Sequence, residues 1–172
     1  LTMTFPKSVG QIPLYYAHKN TGRPLKEGKW FEKFRSNYLD VDNDALYPFG
    51  YGLSYTTFRF SDITLNRSSI GMDNELVASV TVTNTGDRAG SEVVQLYIRD
   101  LVGSVTRPVK ELKGFEKIYL QPNESRTVRF TIAPEMLKFY NADLKFVAEP
   151  GDFDVMIGPD SRNVKTARFT LR

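Results

Sequence analysis

The chain has 172 residues, of which 41% are hydrophobic, and this length predicts one domain or one domain with an extension. The apolar content excludes a disordered chain, and no apolar run reaches the ~18 residues that a membrane-spanning helix needs. The net charge of +3 comes from 23 basic and 20 acidic residues that are interspersed, so neither nucleic-acid binding nor membrane insertion is expected, and the absence of cysteine excludes a disulfide scaffold.

Residues 1–57 are rich in aromatic residues, glycine and proline but have no sustained period. A short strand is predicted over residues 1–5, and nothing after it predicts a regular core. Such a segment is typical of a chain that packs over another domain. The candidate binding residues of this segment are Trp30, Tyr47, Phe49, Tyr51 and Tyr55. For these residues, packing between domains is preferred over stacking on a sugar ring.

The polar candidates for chemistry favour ordinary roles. His18 is the only histidine and the chain has no cysteine, so a surface or hydrogen-bonding role is expected. Residues 40–44 resemble half of a calcium loop but lack the Gly and distal Glu of an EF-hand, which favours a solvated loop. Asp62 follows Ser61 but precedes Ile63 within a strand-like run, so it is not assigned as a nucleophile. No catalytic, metal-binding or cofactor-binding residue is therefore predicted.

Residues 58–172 alternate between apolar and polar side chains in short runs separated by turn residues, which predicts an antiparallel β-sandwich of about seven strands. The parity of the first run, over residues 58–65, changes at Ser61 and Asp62, which predicts a bulge. A single helical turn is predicted at residues 134–138. The side chains predicted to face the core are Leu76, Ala78, Val80, Val82, Val94, Leu96, Ile98, Val128, Phe130, Ile132, Phe153, Val155, Ile157, Ala167, Phe169 and Leu171.

Several motifs, in chain order, point to one family. The run YPFGYGLSYTTF over residues 47–58 resembles the linker of glycoside hydrolase family 3 β-glucosidases, notably the bacterial periplasmic ones. TFPKSVGQIP and NTGRP, before it, resemble the end of the α/β sandwich domain of that family. VTNTG, RPVKELKGF and EPGDF, after it, resemble the C-terminal fibronectin type III-like domain.

The resemblance implies a mainly β chain, a fibronectin type III-like (immunoglobulin-like) antiparallel β-sandwich with an irregular N-terminal extension. Residues 1–46 would be a remnant of the preceding α/β sandwich domain, residues 47–57 a linker, and residues 58–172 the fibronectin type III-like domain. The family's nucleophilic Asp belongs to a TIM-like barrel and its acid/base Glu to the upstream α/β domain. Neither would lie in this chain, which begins at Leu1 without a signal sequence and is expected to be a fragment.

The expected function is that of a non-catalytic accessory module of a retaining β-glucosidase that hydrolyses terminal non-reducing β-D-glucosyl residues without an organic cofactor. Its partners would be the catalytic domains of the parent, in the periplasm or outside the cell. Two alternatives stay open: a carbohydrate-binding module for a β-glucoside or glucan, and a subunit-contact module. Exposed coplanar aromatics would favour the first alternative, and a large apolar patch without a groove the second.

Overall fold

The computed structural model describes residues 1–23 and 31–172, and within these residues it has eleven strands and two short 3-10 helices. The 3-10 helices span Val9–Gln11 and Pro134–Leu137, the second at the helical turn predicted from the sequence. The strands are β1 (Phe58–Phe60), β2 (Thr64–Leu65), β3 (Ser69–Ile70), β4 (Leu76–Asn84), β5 (Gly90–Asp100), β6 (Glu111–Leu120), β7 (Ser125–Ile132), β8 (Phe139–Tyr140), β9 (Phe146–Val147), β10 (Gly151–Gly158) and β11 (Lys165–Leu171). In the described part of the chain, no helix has the length and hydropathy that crossing a bilayer requires.

Two sheets form a sandwich. In the first sheet β4 is central: β7 pairs along one edge, and β1 and β2 pair one after the other along the opposite edge. The second sheet has the order β3-β11-β10-β5-β6, antiparallel except for the pair formed by β3 and β11. A separate hairpin joins β8 and β9. The predicted antiparallel β-sandwich is therefore confirmed.

The core lies between the inner faces of the two sheets, where the alternation placed it. Along β4 every second residue is buried, from Leu76 to Asn84. Strands β10 and β11 contribute Phe153 and Phe169, whose rings stack with centroids 5.4 Å apart. Burying such side chains contributes about 1.5–3 kcal/mol each, which makes this core the main source of stability.

Two of the predicted core residues lie at its margin. Phe130 faces the right way but is only half-buried, because it packs against the core cluster from the rim of the first sheet. Ala167 is also half-buried. The alternation therefore predicts the face of a side chain, whereas its depth depends on what the edge of the opposite sheet covers.

The predicted bulge is present between β1 and β2. Phe60 lies opposite Val82, but Thr64 lies opposite Ser79, so four steps along one strand match three along the other. Ser61 lies in the extra stretch, where its Oγ accepts a hydrogen bond of 2.9 Å from the Thr81 amide. The seven strands of three or more residues match the predicted number, and the four others have only two residues, too few for a period to show.

The N-terminal segment, residues 1–23 and 31–57, contains isolated bridges instead of strands. Phe5 pairs with Tyr47 in one such bridge, so the strand predicted over residues 1–5 is reduced to a single pair. Buried Gln11 organises this segment, since its side chain accepts from the Lys7 amide at 2.6 Å and donates to the Asp42 carbonyl at 2.9 Å. The segment thus holds its shape through hydrogen bonds more than through an apolar core.

Candidate functional site

The N-terminal segment lies on the outer face of the second sheet, over β5. Tyr97 points outward from β5 and yet is fully buried, because the Tyr16 ring meets it edge-on at 5.7 Å. Tyr16 in turn stacks on Phe49 at 4.4 Å. The Tyr97 hydroxyl donates to Gln95 Oε1 at 2.6 Å, and burial raises the pKa of Tyr97. These residues, Tyr16, Phe49, Gln95 and Tyr97, are called the segment contact site below.

The linker crosses this site so closely that a glycine is required. Gln95 Nε2 donates to the Gly50 carbonyl at 3.2 Å and also to the Pro159 carbonyl. Gly50 has a φ of +83°, and a Cβ there would come within 2.1 Å of Gln95 Oε1. Only glycine adopts this conformation readily and leaves the space, so the backbone can lie directly on the glutamine.

The turn between β10 and β11 adds a second set of hydrogen bonds, to the linker and to Ala45 just before it. The Ser161 amide donates to the Phe49 carbonyl at 2.9 Å, and the Arg162 guanidinium donates to the Ala45 carbonyl. Asp160 holds the turn in shape by accepting from the amide of Arg162 at 2.8 Å. Lys110 Nζ donates to the Ser161 carbonyl at 2.6 Å, and burial lowers the pKa of Lys110.

The loop between β5 and β6 forms the other end of the contact. The Val109 amide donates to the His18 carbonyl at 2.9 Å, next to a bridge between Lys19 and Pro108. Arg107 holds this loop, because its guanidinium lies 4.2 Å from the centre of the Phe139 ring.

Charged partners surround Arg107. The guanidinium pairs with Glu111 at 2.8 Å and lies 3.6 Å from Asp100. Burial raises the pKa of Asp100, and the positive charge of Arg107 opposes that shift. The guanidinium therefore joins the base of the loop to the start of β6.

The predicted binding aromatics do not form one platform. Tyr47 and Tyr51 lie together, with centroids 5.1 Å apart and a tilt of 31°. Phe49 turns away to the segment contact site, and Tyr55 is exposed. Trp30 lies outside the described residues.

The polar candidates take structural partners. His18 is exposed, with Nδ1 3.0 Å from the Lys19 carbonyl. Asp42 pairs with Lys7 at 2.6 Å, and this hydrogen bond lowers the pKa of Asp42. Asp62 is exposed and 3.1 Å from Lys165. Across residues 1–23 and 31–172, no group of three His, Cys, Asp or Glu side chains is placed to hold a metal ion.

No sequence pattern predicts the hydrogen bonds inside the sandwich. Asn84 is fully buried, and its Nδ2 donates to the carbonyls of Arg88 at 2.7 Å and Leu120 at 3.2 Å. Its Oδ1 accepts from Thr56 Oγ1 at 2.6 Å, which anchors the linker. One signal for the segment contact site was available, since residues 93–98 contain no charge on either face of β5.

Comparison with known proteins agrees with this architecture. Residues 92–161 match the fibronectin type III-like domain family. The chain contains a fibronectin type III-like domain. The periplasmic beta-glucosidase of Salmonella typhimurium is 55% identical over 99% of this chain, and a putative beta-xylosidase of Formosa agariphila is 46% identical over all of it. The crystal structure of a beta-glucosidase from Listeria innocua in complex with glucose superposes with a TM-score of 0.93 at 43% identity over 99% of this chain.

The fibronectin type III-like domain and its N-terminal segment correspond to one part of these larger proteins. The chain spans 22% of the Salmonella protein, 21% of the Formosa protein and 24% of the Listeria chain. The resemblance to the glycoside hydrolase family 3 β-glucosidases, predicted from the motifs, is confirmed. The match extends through residues 1–57, so the segment and the sandwich occur together in the relatives.

Proposed function

We propose that the chain is a non-catalytic accessory module of a β-glucosidase, and that it supports the catalytic domains of an enzyme that hydrolyses terminal non-reducing β-D-glucosyl residues. The names and lengths of the relatives support this proposal, as does the segment contact site. A periplasmic or secreted location is part of the proposal, because the Salmonella relative is named periplasmic. The proposed division is a domain remnant at 1–46, a linker at 47–57 and the sandwich at 58–172.

One observation carries the proposal: the N-terminal segment exposes many large apolar side chains. Val9 is 84% exposed and Leu39 86% exposed. Soluble monomers seldom leave so much apolar surface uncovered in one region. Further exposed apolar side chains of this segment include Leu1, Met3, Phe5, Ile12, Tyr15, Phe34, Leu46, Tyr47, Leu53 and Tyr55. Such a surface needs a covering partner, and the catalytic part of the parent enzyme is the partner that the lengths of the relatives supply.

The geometry supports packing over sugar binding for the linker aromatics. Tyr47 and Tyr51 are tilted against each other, and Phe5 meets Tyr47 at 73°. A flat pair of rings facing solvent would be expected in a sugar platform. Relatives named for two different sugars also share this segment, which is expected if the choice of sugar is made elsewhere.

A grafting experiment tests the proposal. The part of the Salmonella beta-glucosidase that this chain matches is replaced by the chain, and in a second version that whole part is deleted. We expect the grafted enzyme to hydrolyse an aryl β-glucoside and to remain soluble, and the deleted version to lose both properties because its apolar surface is uncovered. An active, equally stable deleted version would contradict the supporting role.

The chain alone provides the control. Retaining hydrolysis needs two carboxyl groups about 5–5.5 Å apart in a shaped pocket. The isolated chain is therefore expected to release no more phenol from the aryl β-glucoside than buffer does, and to show no heat of binding with β-glucans. Turnover that survives repurification and disappears in Asp62→Asn would place a catalytic site here and refute the accessory role.

A further inference from the structure

We propose that the cleft between the N-terminal segment and the sandwich binds a small tetrahedral oxyanion, of the phosphate or sulfate type, through Lys110 and Arg162. This cleft is called the seam cleft below. The site lies within the chain itself, so it goes beyond the accessory function proposed above and does not depend on it.

Each part of the chain supplies one wall of the seam cleft. The segment contributes His18 and Asp44, and the sandwich contributes Lys110 at the end of the loop between β5 and β6 and Arg162 in the turn between β10 and β11. Backbone hydrogen bonds of 2.9 Å join the segment to both of these sandwich elements. The cleft holds about 180 Å³, and because a water molecule takes up about 30 Å³ of the liquid, an oxyanion and a few waters fit.

Both cations have hydrogen-bond donors to spare. Lys110 Nζ donates to the Ser161 carbonyl at 2.6 Å, which uses one N–H group of the ammonium. The Arg162 guanidinium donates to the Ala45 carbonyl through one of its N–H groups. Within the described residues, the two side chains form no other hydrogen bond. Their remaining N–H groups are available to a ligand in the cleft that both side chains line.

Neither cation has an acidic partner in residues 1–23 and 31–172, where every ion pair joins other residues. Asp160 attracts Lys110 but forms no ion pair with it, and its carboxylate accepts instead from the amides of Arg162 and Asn163 at 2.8 Å each. Burial and the neighbouring charge of Arg99 lower the pKa of Lys110. A partly buried charge without a counter-ion is costly, and an anion in the cleft would offset that cost.

The chemistry of the donors favours an oxyanion as the ligand. Ammonium and guanidinium groups form short, charge-assisted hydrogen bonds to phosphate, and the planar guanidinium can bind two of its oxygens at once. Among the described residues that line the cleft, Asp44 has the only carboxylate, and this residue is exposed. Its charge repels an anion, so removal of Asp44 should strengthen binding, whereas removal of Lys110 should weaken it.

An oxyanion in the seam cleft would also control how firmly the segment is held. It contacts groups of both walls only while the segment lies on the sandwich, so it stabilises that arrangement by mass action. With a Kd of about 1 mM, a phosphate concentration of about 50 mM shifts the equilibrium about fiftyfold toward the folded chain. For a chain of this size, that shift corresponds to roughly 5–9 °C in melting temperature.

Thermal unfolding of the whole chain tests the proposal. Circular dichroism measures the melting temperature at about pH 7 in sodium phosphate and in sodium chloride of the same ionic strength. Phosphate also stabilises proteins in general, because it is excluded from their surfaces, so the comparison between variants decides. We expect Lys110→Met to lose most of the gain and Lys117→Met to keep it, since Lys117 is exposed on β6 and does not line the cleft. Equal gains in the two variants would overturn the site.

Asp44→Asn should change the affinity in the opposite direction. Its matched control is Asp40→Asn, which changes the net charge equally at an exposed residue that does not line the cleft. In a phosphate titration of the melting temperature, Asp44→Asn should lower the Kd about threefold, an effect that solvent and salt keep modest, and Asp40→Asn should lower it less. The same Kd for both variants would overturn the placement of the anion in the seam cleft.

Acetylation of the unsubstituted chain keeps the test decisive if Lys110→Met does not fold. The chain is treated with acetic anhydride with and without phosphate, and peptide mass spectrometry measures the rate at each lysine. We expect phosphate to slow acetylation of Lys110 at least about fivefold and to leave Lys117 unchanged, because a bound anion stabilises the charged and unreactive ammonium. An unchanged rate at Lys110 would overturn the proposal. A Kd above about 50 mM would indicate an adventitious ion only and would overturn it as well.

Discussion

Tyr97→Phe tests whether the segment contact site stabilises the chain. The substitution keeps the ring and removes one hydroxyl, which donates to Gln95 Oε1 in a fully buried position. The lost hydrogen bond is worth about 0.5–1.5 kcal/mol, and the buried Gln95 oxygen left without this donor costs about 1–3 kcal/mol when unsatisfied. The two figures describe the same lost interaction and are not added, so we expect a loss of about 2 kcal/mol. This is a large share of the ~5–15 kcal/mol by which domains are stable.

Urea denaturation followed by circular dichroism measures this loss as a lower midpoint with an unchanged slope. Tyr119→Phe is the matched control, since it removes the same hydroxyl from an exposed ring on the neighbouring strand and should change stability by less than about 0.5 kcal/mol. An effect of Tyr97→Phe no larger than that of the control would refute the reasoning.

The same substitution also shows whether the N-terminal segment is what buries Gln95. In a chain reduced to residues 58–172, water reaches Gln95 and replaces the lost donor, so the cost of Tyr97→Phe should fall to that of the control. An equal cost in both chains would mean that the burial comes from the sandwich alone.

The remaining predictions concern folding, the core, the buried amide and the acidic loop. Residues 58–172 should unfold cooperatively on their own, since both faces of the core lie within them; loss of the β-type circular dichroism on truncation would contradict this. Phe153→Ala should cost about 3–5 kcal/mol and the half-buried Phe130→Ala only about 2 kcal/mol, measured by urea denaturation, and equal costs would contradict the difference in burial. Asn84→Ala should cost about 2–4 kcal/mol, because the carbonyls of Arg88 and Leu120 lose their donor, the second of them in a buried position. Asp42→Asn should lower the melting temperature at pH 6 but not near pH 2: the pKa of Asp42 is lowered by Lys7, so its contribution is present above its unfolded pKa and is lost as the pH falls through the folded one. A difference that persists near pH 2 would contradict this.

The candidate site was predictable only in its residue types. The density of aromatic residues around Tyr47 and Phe49 marked the linker, and the glycines between them indicated tight backbone turns, which agrees with the positive φ of Gly50. Nothing in the spacing indicated that Phe49 would face Tyr16 while Tyr55 stays exposed. Those orientations depend on contacts between residues more than 30 positions apart, which a local sequence pattern does not report.

The sequence by itself determined the sandwich, because the alternation in β4, β10 and β11 admits one inward face, and a shift by one residue would expose it. It also determined the bulge at Ser61, since a change of parity can be accommodated in no other way within a paired strand. Only the tertiary structure decided which outward residues are buried. Gln95 and Tyr97 lie on the outer face of β5 and would meet water in a free sandwich, but the N-terminal segment covers them. Burial is a property of everything that packs nearby, whereas periodicity reports only the direction in which a side chain points.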